Sequence, residues 1–276
     1  MKSIFLSIFV FAAIAVQAQY YYKDIIGTRE SANLIKTYQK AGVTRVSVNS
    51  YDADNTRDDD FLITQTFSKP HIALRTVTRN GTAGESVLTS LADADGRVVK
   101  TIDSSANLTS ISEYSYDEAG RLQSIKSSST DTSKAITQTE AHLWQWANGQ
   151  PFRMLRIINN TDTSIVDFKL DGGNIADERT TRRGVKTDSV YYYYDAQNRL
   201  TDIVRFNNKA KRLLPAYMFE YSADGNLIQK ITVPSNSSEY LIWRYQYNAD
   251  GLKIKEAIYD RHKTLNGKIE YQYDRN

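Results

Sequence analysis

One nine-residue stretch, Tyr114-Ser-Tyr116-Asp-Glu-Ala-Gly120-Arg121-Leu122, decides the fold. Glycine, and asparagine as its usual substitute, accept the positive φ that a tight hairpin turn requires. Aromatic residues at alternate positions before the turn are typical of a half-buried β-strand. The stretch therefore predicts a strand, a hairpin tip at Gly120 and the start of a returning strand.

The same pattern recurs at a nearly constant interval. Four copies match the pattern closely and turn at Gly120, Asn198, Gly225 and Gly251, which we call the strong tips. Three weaker copies turn at Gly96, Gly149 and Gly173. Successive tips are 24 to 29 residues apart. A period of this length indicates repeated supersecondary units. We therefore expect a row of β-hairpins over most of the chain.

The strand before each strong tip has two different faces. Counting back from Gly120, Asn198, Gly225 and Gly251, positions −4 and −6 are aromatic, whereas positions −5 and −7 are mostly polar. Successive side chains on a strand point to opposite faces of the sheet. One face should therefore be buried and the other should meet water, as in an antiparallel sheet.

These copies resemble the tyrosine and aspartate (YD) repeats of Rhs-type exported bacterial proteins, whose consensus is close to Tyr-x-Tyr-Asp-x-x-Gly-Arg-Leu. Tyr114 to Leu122 matches that consensus fully, and Tyr192 to Leu200 matches it with Asn198 in place of glycine. The resemblance covers residues 87–276, and the period here is longer than the family's. It implies a continuous, curling antiparallel sheet, which in large members forms a hollow shell around a toxin domain.

The first residues predict export. Met1 and Lys2 precede a run from Ile4 to Val16 that is apolar except for one serine, and a small-residue cleavage pattern ends at Ala18. This is typical of a signal peptide, residues 1–18. An uncleaved membrane anchor is disfavoured because the run is too short to span a bilayer. The chain has no cysteine, so we expect a bacterial periplasm or cell surface, with no transmembrane span after cleavage.

Residues 19–86 should hold a helix and leading strands, continuous with the repeats of residues 87–276 as one domain. The pattern predicts a helix from Thr28 to Gly42, then strands over 43–48, 61–67 and 71–78. The whole chain should have roughly 15 to 18 strands, and an open sheet seldom exceeds about 10 without curling or closing. The predicted fold is all-β: a curled antiparallel sheet of repeated hairpins, bent into a half-barrel, barrel or shell, with one short N-terminal helix.

Little in the sequence indicates catalysis or a metal. His71, His142 and His262 have no second histidine at ligand spacing, and the aspartates of 52–60 lack the glycine and glutamate of a calcium loop, so they predict a solvated loop. No phosphate loop or nucleophile motif is present. We therefore predict a protein that is not an enzyme, with no cofactor and no metal. The net charge of +3 also argues against a nucleic-acid partner.

The aromatic residues offer the candidate binding sites. The alternating rings are either a stacking platform or, as we favour, cross-strand core pairs. The opposite face offers Tyr191, Tyr193 and Arg244 as ligand-binding candidates, and Trp144 and Trp146 are further candidates.

Three functions stay open. The first is a non-catalytic β-repeat protein with a binding or structural role at the bacterial cell envelope or surface, whose partner is a glycan or an envelope protein. The second is a periplasmic half-barrel carrier of an apolar acyl ligand. The third is a glycan-active hydrolase, which needs two carboxylates close together in a cleft. A transmembrane barrel is disfavoured because the loops show no long and short alternation.

Overall fold

The computed structural model describes residues 20–68, 72–81, 84–187, 189–234, 237 and 239–276. The predicted signal peptide and His71 lie outside these residues. Within them, one helix precedes nineteen strands. The elements are α1 (Lys23–Lys40), β1 (Val43–Asp52), β2 (Arg57–Ser68), β3 (Ala73–Asn80), β4 (Gly84–Ala92), β5 (Val98–Ser105), β6 (Leu108–Tyr116), β7 (Leu122–Asp131), β8 (Ile136–Ala147), β9 (Gln150–Ile158), β10 (Asp162–Asp171), β11 (Asn174–Arg182), β12 (Val185–Lys186), β13 (Val190–Tyr194), β14 (Leu200–Asn207), β15 (Arg212–Tyr221), β16 (Leu227–Thr232), β17 (Leu241–Tyr247), β18 (Lys253–Tyr259) and β19 (Leu265–Arg275).

The strands form a closed barrel. Neighbouring strands pair antiparallel, and β1 pairs with both β2 and β19. The two-residue strand β12 pairs with β11, which also pairs with β13, so the other eighteen strands make the ring. Closure removes the sheet edges that an open sheet of this length would expose. The predicted curled antiparallel sheet of hairpins is confirmed, and this sheet closes into a barrel.

The aromatic face of each repeat is the inner face of the barrel. Tyr192 and Tyr245 are 4% and 8% exposed, whereas their outward neighbours Tyr193 and Gln246 are exposed. On the outer face of β5 and β6, Lys100 pairs with Glu113 at 3.1 Å. The predicted assignment of the two faces is therefore confirmed.

The tips at Gly96, Gly120 and Asn198 are each held by an aspartate and an arginine. The Asp117 carboxylate accepts hydrogen bonds from the backbone N–H groups of Ala119 and Arg121, at 3.0 and 2.9 Å. The Arg121 side chain donates to the same carboxylate at 2.7 Å. Gly120 has φ of +73°, as the turn requires. The predicted hairpin tip is confirmed, and the Asp and Arg of the consensus are turn residues.

In six hairpins the last aromatic side chain ties its hairpin to the hairpin before it. Its hydroxyl or indole N–H donates to the backbone carbonyl of the residue two positions after the previous hairpin tip. The bonds are Tyr116 to Val98, Trp146 to Leu122, Tyr194 to Ile175, Tyr221 to Leu200, Tyr247 to Leu227 and Tyr273 to Lys253, at 2.6 to 3.0 Å. Each acceptor lies beside the β-bulge that follows the tip. The repeat thus satisfies a carbonyl where the ladder is interrupted.

The first part of the chain differs from the prediction in detail. Helix α1 begins at Lys23, five residues before the expected start, and the Thr28 hydroxyl bonds to the carbonyl of Asp24 instead of capping. The start is decided by Glu178, far away in sequence, which accepts the N–H groups of Tyr21 and Tyr22. The aspartates of 52–60 are only partly in a loop, because β2 begins at Arg57. Residues 86 and 87, where the sequence analysis divides the leading part from the repeats, lie within the uninterrupted strand β4.

Candidate functional site

Helix α1 lies inside the barrel and packs against its wall at both ends. At the start of the helix, Tyr21 and Ile25 belong to a core cluster with Trp144, Met154 and Ile203. At its end, Ile35 and Tyr38 belong to a second cluster built from the first and last strands. The face between them, including Arg29, Glu30 and Asn33, is exposed. The polar side chains in the middle of the helix are therefore accessible to solvent.

A buried carboxylate holds the start of α1. Glu178, only 2% exposed, accepts the backbone N–H of Tyr21 at 2.8 Å and that of Tyr22 at 3.0 Å. A carboxylate is favourable here because the first N–H groups of a helix have no partner within it. Burial raises the pKa of Glu178 to about 7. This contact anchors the helix to β11.

A second buried network anchors the first turn. His142 contacts Asp24 at 2.6 Å through Nδ1 and Glu140 at 2.8 Å through Nε2. Burial favours the neutral ring, but the two carboxylates outweigh it and raise the pKa of His142 to about 9. Although burial would raise the pKa of Glu140, His142 and Arg156 hold it at about 2. At neutral pH the network is an ion cluster in which His142 is charged.

The inner faces of β15–β18 carry rings and cations, and Glu30 of α1 lies within electrostatic range of them. We call the group formed by Glu30, Tyr221, Lys230, Trp243, Tyr245, Tyr247 and Lys253 the lumen recess. Glu30 touches solvent, yet the protein around it raises its pKa by burial, against the charges of Lys230 and Lys253. Burial and then the charge of Glu30 raise the pKa of Tyr221 to about 12. Glu30 therefore lies within electrostatic range of the tyrosine ring on β15.

The wall of the recess combines cations with aromatic rings. The Lys230 ammonium lies 5.0 Å from the ring centre of Trp243, and that of Lys253 lies 4.8 Å from the ring centre of Tyr245. Lys253 also contacts Glu256 at 2.6 Å, and Glu256 accepts the hydroxyl of Tyr271. Burial lowers the pKa of Lys230. The arrangement can offer ammonium donors and the half-buried rings of Tyr221 and Tyr247 to one ligand.

The outward candidates do not form one surface. Tyr191 and Tyr193 lie on the outer face of β13, and Tyr193 is 50% exposed. Arg244 is exposed on β17, four strands further round, where it lies over the ring of Tyr259 and donates to Gln229. The structure therefore places the two tyrosines together and Arg244 apart from them.

The two tryptophan candidates lie on the inner face. Trp144 is 4% exposed and stacks on Phe168 with ring centres 5.1 Å apart. Trp146 donates from Nε1 to the carbonyl of Leu122, and Arg121 lies over its ring. Both rings are core and repeat contacts, on the opposite side of the sheet from Tyr193.

Sequence reasoning offered the aromatic residues of the recess as one possible stacking platform, but it missed the charged ones. Lys230 and Lys253 fall at inward positions beside aromatic residues, and an inward lysine in a repeat of this kind is a signal that could have found them. Glu30 has no such signal, because the helix pattern does not reveal which strands its exposed face meets. Among the described residues, no group of three or more His, Asp or Glu side chains could hold a metal ion. No helix of the described ranges is long and apolar enough to cross a membrane.

Comparison with known proteins identifies distant likenesses in structure. No protein-family profile and no curated protein matches the chain. A TcdB2-TccC3-Cdc42 complex matches 78% of this chain at 15% identity and a TM-score of 0.34. A porin-like protein from Bacteroides uniformis matches 85% of it at 10% identity and 0.35, over 97% of its own length. The chain spans 12% of the toxin-complex chain. Scores of this size identify no family for the protein.

Proposed function

We propose that this protein is a non-catalytic, exported binding protein of the bacterial cell envelope or surface, and that it binds a glycan inside its barrel. The lumen recess is the observation that carries the proposal. Closed barrels of about 16 to 18 strands are wide enough to leave a water-filled interior. Here that interior holds aromatic rings next to charged groups, and sugars present both apolar ring faces and hydroxyls.

The interior fits a polar ligand better than an acyl chain. Helix α1 and the two core clusters already fill the apolar parts of the lumen: Ile35 and Tyr38 are 1% and 3% exposed. An acyl chain would need that space, whereas Glu30, Lys230 and Lys253 bring charge to the part of the lumen beside the middle of the helix. The glycan reading is therefore favoured over the half-barrel carrier.

Binding is also favoured over hydrolysis. Glycoside hydrolysis needs one carboxyl as an acid and a second that is free to act on the sugar or on water. Glu256, the other carboxylate on this wall, is occupied by Lys253 at 2.6 Å and by the Tyr271 hydroxyl. We expect the sugar to leave the site unchanged.

A glycan array of bacterial and plant oligosaccharides, followed by titration calorimetry of the hits, tests this function. We expect saturable binding of at least one oligosaccharide and no release of reducing ends over a day of incubation. Finding no glycan bound, with lipid copurifying in stoichiometric amount, would contradict the proposal and support the carrier. Turnover that disappears in Glu256→Gln would show an enzyme instead.

A further inference from the structure

We propose that one side of the barrel's rim docks on an anionic phospholipid surface, through the turns that join β11 to β12 and β14 to β15. We call residues 183–186 and 206–213 the basic rim. This surface lies at one end of the barrel, outside the lumen, and its docking is independent of the glycan proposed to bind within.

The basic rim lies at the end of the barrel opposite the hairpin tips. Neighbouring strands run antiparallel, so the turns that follow β11 and β14 are both at the end away from Gly173 and Asn198. Strand β13 pairs with β11 on one side and with β14 on the other, where Glu178 lies opposite Val190 and Val190 opposite Arg205. The two turns therefore belong to neighbouring hairpins and lie side by side on the rim.

The basic rim carries cations that the surrounding side chains leave unpaired. Lys186, Lys209, Lys211 and Arg212 are exposed, and none of them makes an ion pair with the residues that the structure describes. The sequence holds no acidic residue over 203–219. A cluster of exposed Lys and Arg is attracted to a membrane of anionic lipids, whose charge extends over a plane that can meet all four side chains at once.

The few carboxylates on this side do not cancel the charge. Asp162 accepts a hydrogen bond from Nε of Arg182 at 3.2 Å and lies 3.8 Å from the guanidinium of Arg183. Asp188 is the only acidic residue of the sequence within 179–194. Six basic side chains therefore stand against two acidic ones, and the excess charge is positive.

Apolar side chains are exposed among these cations. Val185 is 70% exposed, and Phe206 and Leu213 are 38% and 45% exposed. Phe206 and Leu213 are direct partners on β14 and β15, so they form one apolar pair beside the turn. A free anion would satisfy the lysines and leave this pair in water. A lipid surface accepts both, because headgroups attract the cations and the boundary with the acyl chains takes up the apolar side chains.

The turn between β14 and β15 has a fixed shape. The Asn207 side chain accepts the backbone N–H groups of Lys209 and Ala210, at 3.0 and 2.9 Å. Lys211 completes the turn with a φ of +53°. Because the backbone is already ordered, docking costs little conformational entropy here.

The opposite side of the same rim carries the opposite charge. The turn between β1 and β2, far round the ring from β11, has four exposed aspartates: Asp52, Asp54, Asp59 and Asp60. An anionic membrane repels these carboxylates while it attracts the basic rim. The barrel should therefore meet the lipid surface tilted, with the basic rim against the headgroups.

Cosedimentation of the full protein with lipid vesicles tests the inference. We expect binding to vesicles of equal parts phosphatidylglycerol and phosphatidylcholine, none to phosphatidylcholine alone, and a loss of binding as the salt concentration rises. Lys209→Gln with Lys211→Gln should weaken binding by about 10-fold to 30-fold, the size expected for two lysines at a membrane surface. The matched control, Lys126→Gln with Lys169→Gln, removes two exposed lysines from the outer faces of β7 and β10 and should bind like the wild type.

The apolar pair is tested separately by fluorescence. Phe206→Trp should emit at shorter wavelength on the mixed vesicles than in buffer, because the ring leaves water for the boundary between headgroups and acyl chains. Phe206→Ser with Leu213→Ser should weaken binding by about 10-fold. Thermal melts of every variant identify any loss of binding that comes from unfolding. An unshifted emission on vesicles that do bind the protein would show that the apolar pair does not enter the lipid.

Three results would overturn the inference. An equal loss in the lysine variant and in its control would show an effect of net charge, with no particular surface involved. Equal binding to the two kinds of vesicle would exclude a role for anionic headgroups. A wild type that ignores both vesicles, yet binds a poly-aspartate peptide through Lys209 and Lys211, would identify an acidic protein as the partner. Glycan binding is measured without vesicles and would stand or fall by itself.

Discussion

Two parts of the inner wall share one backbone plan but carry different side chains. On β6 and β7, hydroxyl pairs face the lumen: Ser110 with Ser129 at 2.8 Å, and Ser112 with Ser127 at 2.7 Å. On β15–β19 the same inward positions carry aromatic rings, such as Trp243, and lysines. We call these regions the hydroxyl wall and the aromatic wall. Tips and bulges are alike in both.

The difference separates the residues that build the barrel from those that give it chemistry. The tip residue, the polar side chain three residues before it and the last aromatic recur because they close the turn and join one hairpin to the next. The inward positions further along each strand neither close a turn nor join two hairpins. They can therefore vary around the ring, and the lumen can be apolar at α1, aromatic at the recess and hydroxylated elsewhere.

The largest expected effect on stability lies in the aromatic wall. Trp243→Ala should lower the free energy of unfolding by about 3 to 5 kcal/mol, because a large buried ring leaves a cavity when it is removed. Its counterpart in the hydroxyl wall, Ser112→Ala, should cost about 1 kcal/mol or less, the value of a cross-strand polar pair. Urea denaturation compares the two. Equal losses would mean that the hydroxyl wall is as firmly packed as the aromatic wall.

The anchor of α1 should make stability fall as the solution becomes alkaline. His142 has a pKa of about 9 in the fold, above the usual 6.5. A raised pKa contributes stability that is complete below about pH 6.5 and is lost as the pH rises through 9. The loss should be on the order of 3 kcal/mol for a shift of this size. Glu178, raised to about 7, should add a loss between about pH 4.5 and 7.

Denaturation curves at a series of pH values measure this dependence. His142→Gln should be less stable than the wild type at pH 6, and its stability should change little between pH 6.5 and 9. In acid the sign reverses, because the pKa of Glu140 is lowered to about 2 and its contribution disappears as the pH falls from about 4.5 towards 2. A wild type whose stability is flat from pH 6.5 to 9 would show that the ion cluster does not anchor the helix.

The smallest effects concern the tips, which both walls share. Gly120→Ala and Gly225→Ala each place a side chain at positive φ, of +73° and +85°, and should cost about 1 to 2 kcal/mol. The Gly120 variant should be the worse, because its Cβ would lie 2.8 Å from the guanidinium of Arg97, whereas nothing lies within 4 Å at Gly225. Thermal melts of both variants settle the order. A reversed order would mean that Arg97 moves aside without cost.

The features that the sequence predicted are the local ones. Tips at Gly120 and Asn198 could be predicted because positive φ and an alternating strand are encoded within nine residues. Closure could not, because it depends on β1 meeting β19, where Asn49 lies opposite Glu270. The start of α1 was missed because it also depends on a long-range contact: Glu178, which caps the helix, is more than 150 residues away in sequence.

The candidate site divides in the same way. The outward position of Tyr193 could be predicted from the alternation of residues along its strand. Trp144 was also a binding candidate, but it points inward and is buried in the core. The recess arises only when Glu30 on α1 is brought opposite Lys230 and Lys253 on the wall. The sequence pattern of neither segment predicts that these residues come close together.

The lumen exists only if the first and last strands pair, so a cross-link between them tests the central claim most directly. The chain has no cysteine, and a disulfide needs Cα atoms about 4.4 to 6.8 Å apart. Asn49→Cys with Glu270→Cys joins direct partners on β1 and β19. The control, Asn49→Cys with Lys255→Cys, joins residues on either side of β19. On mild oxidation of the folded protein, mass spectrometry should find an intramolecular disulfide in the first variant and free thiols in the control. Free thiols in both would contradict a closed barrel.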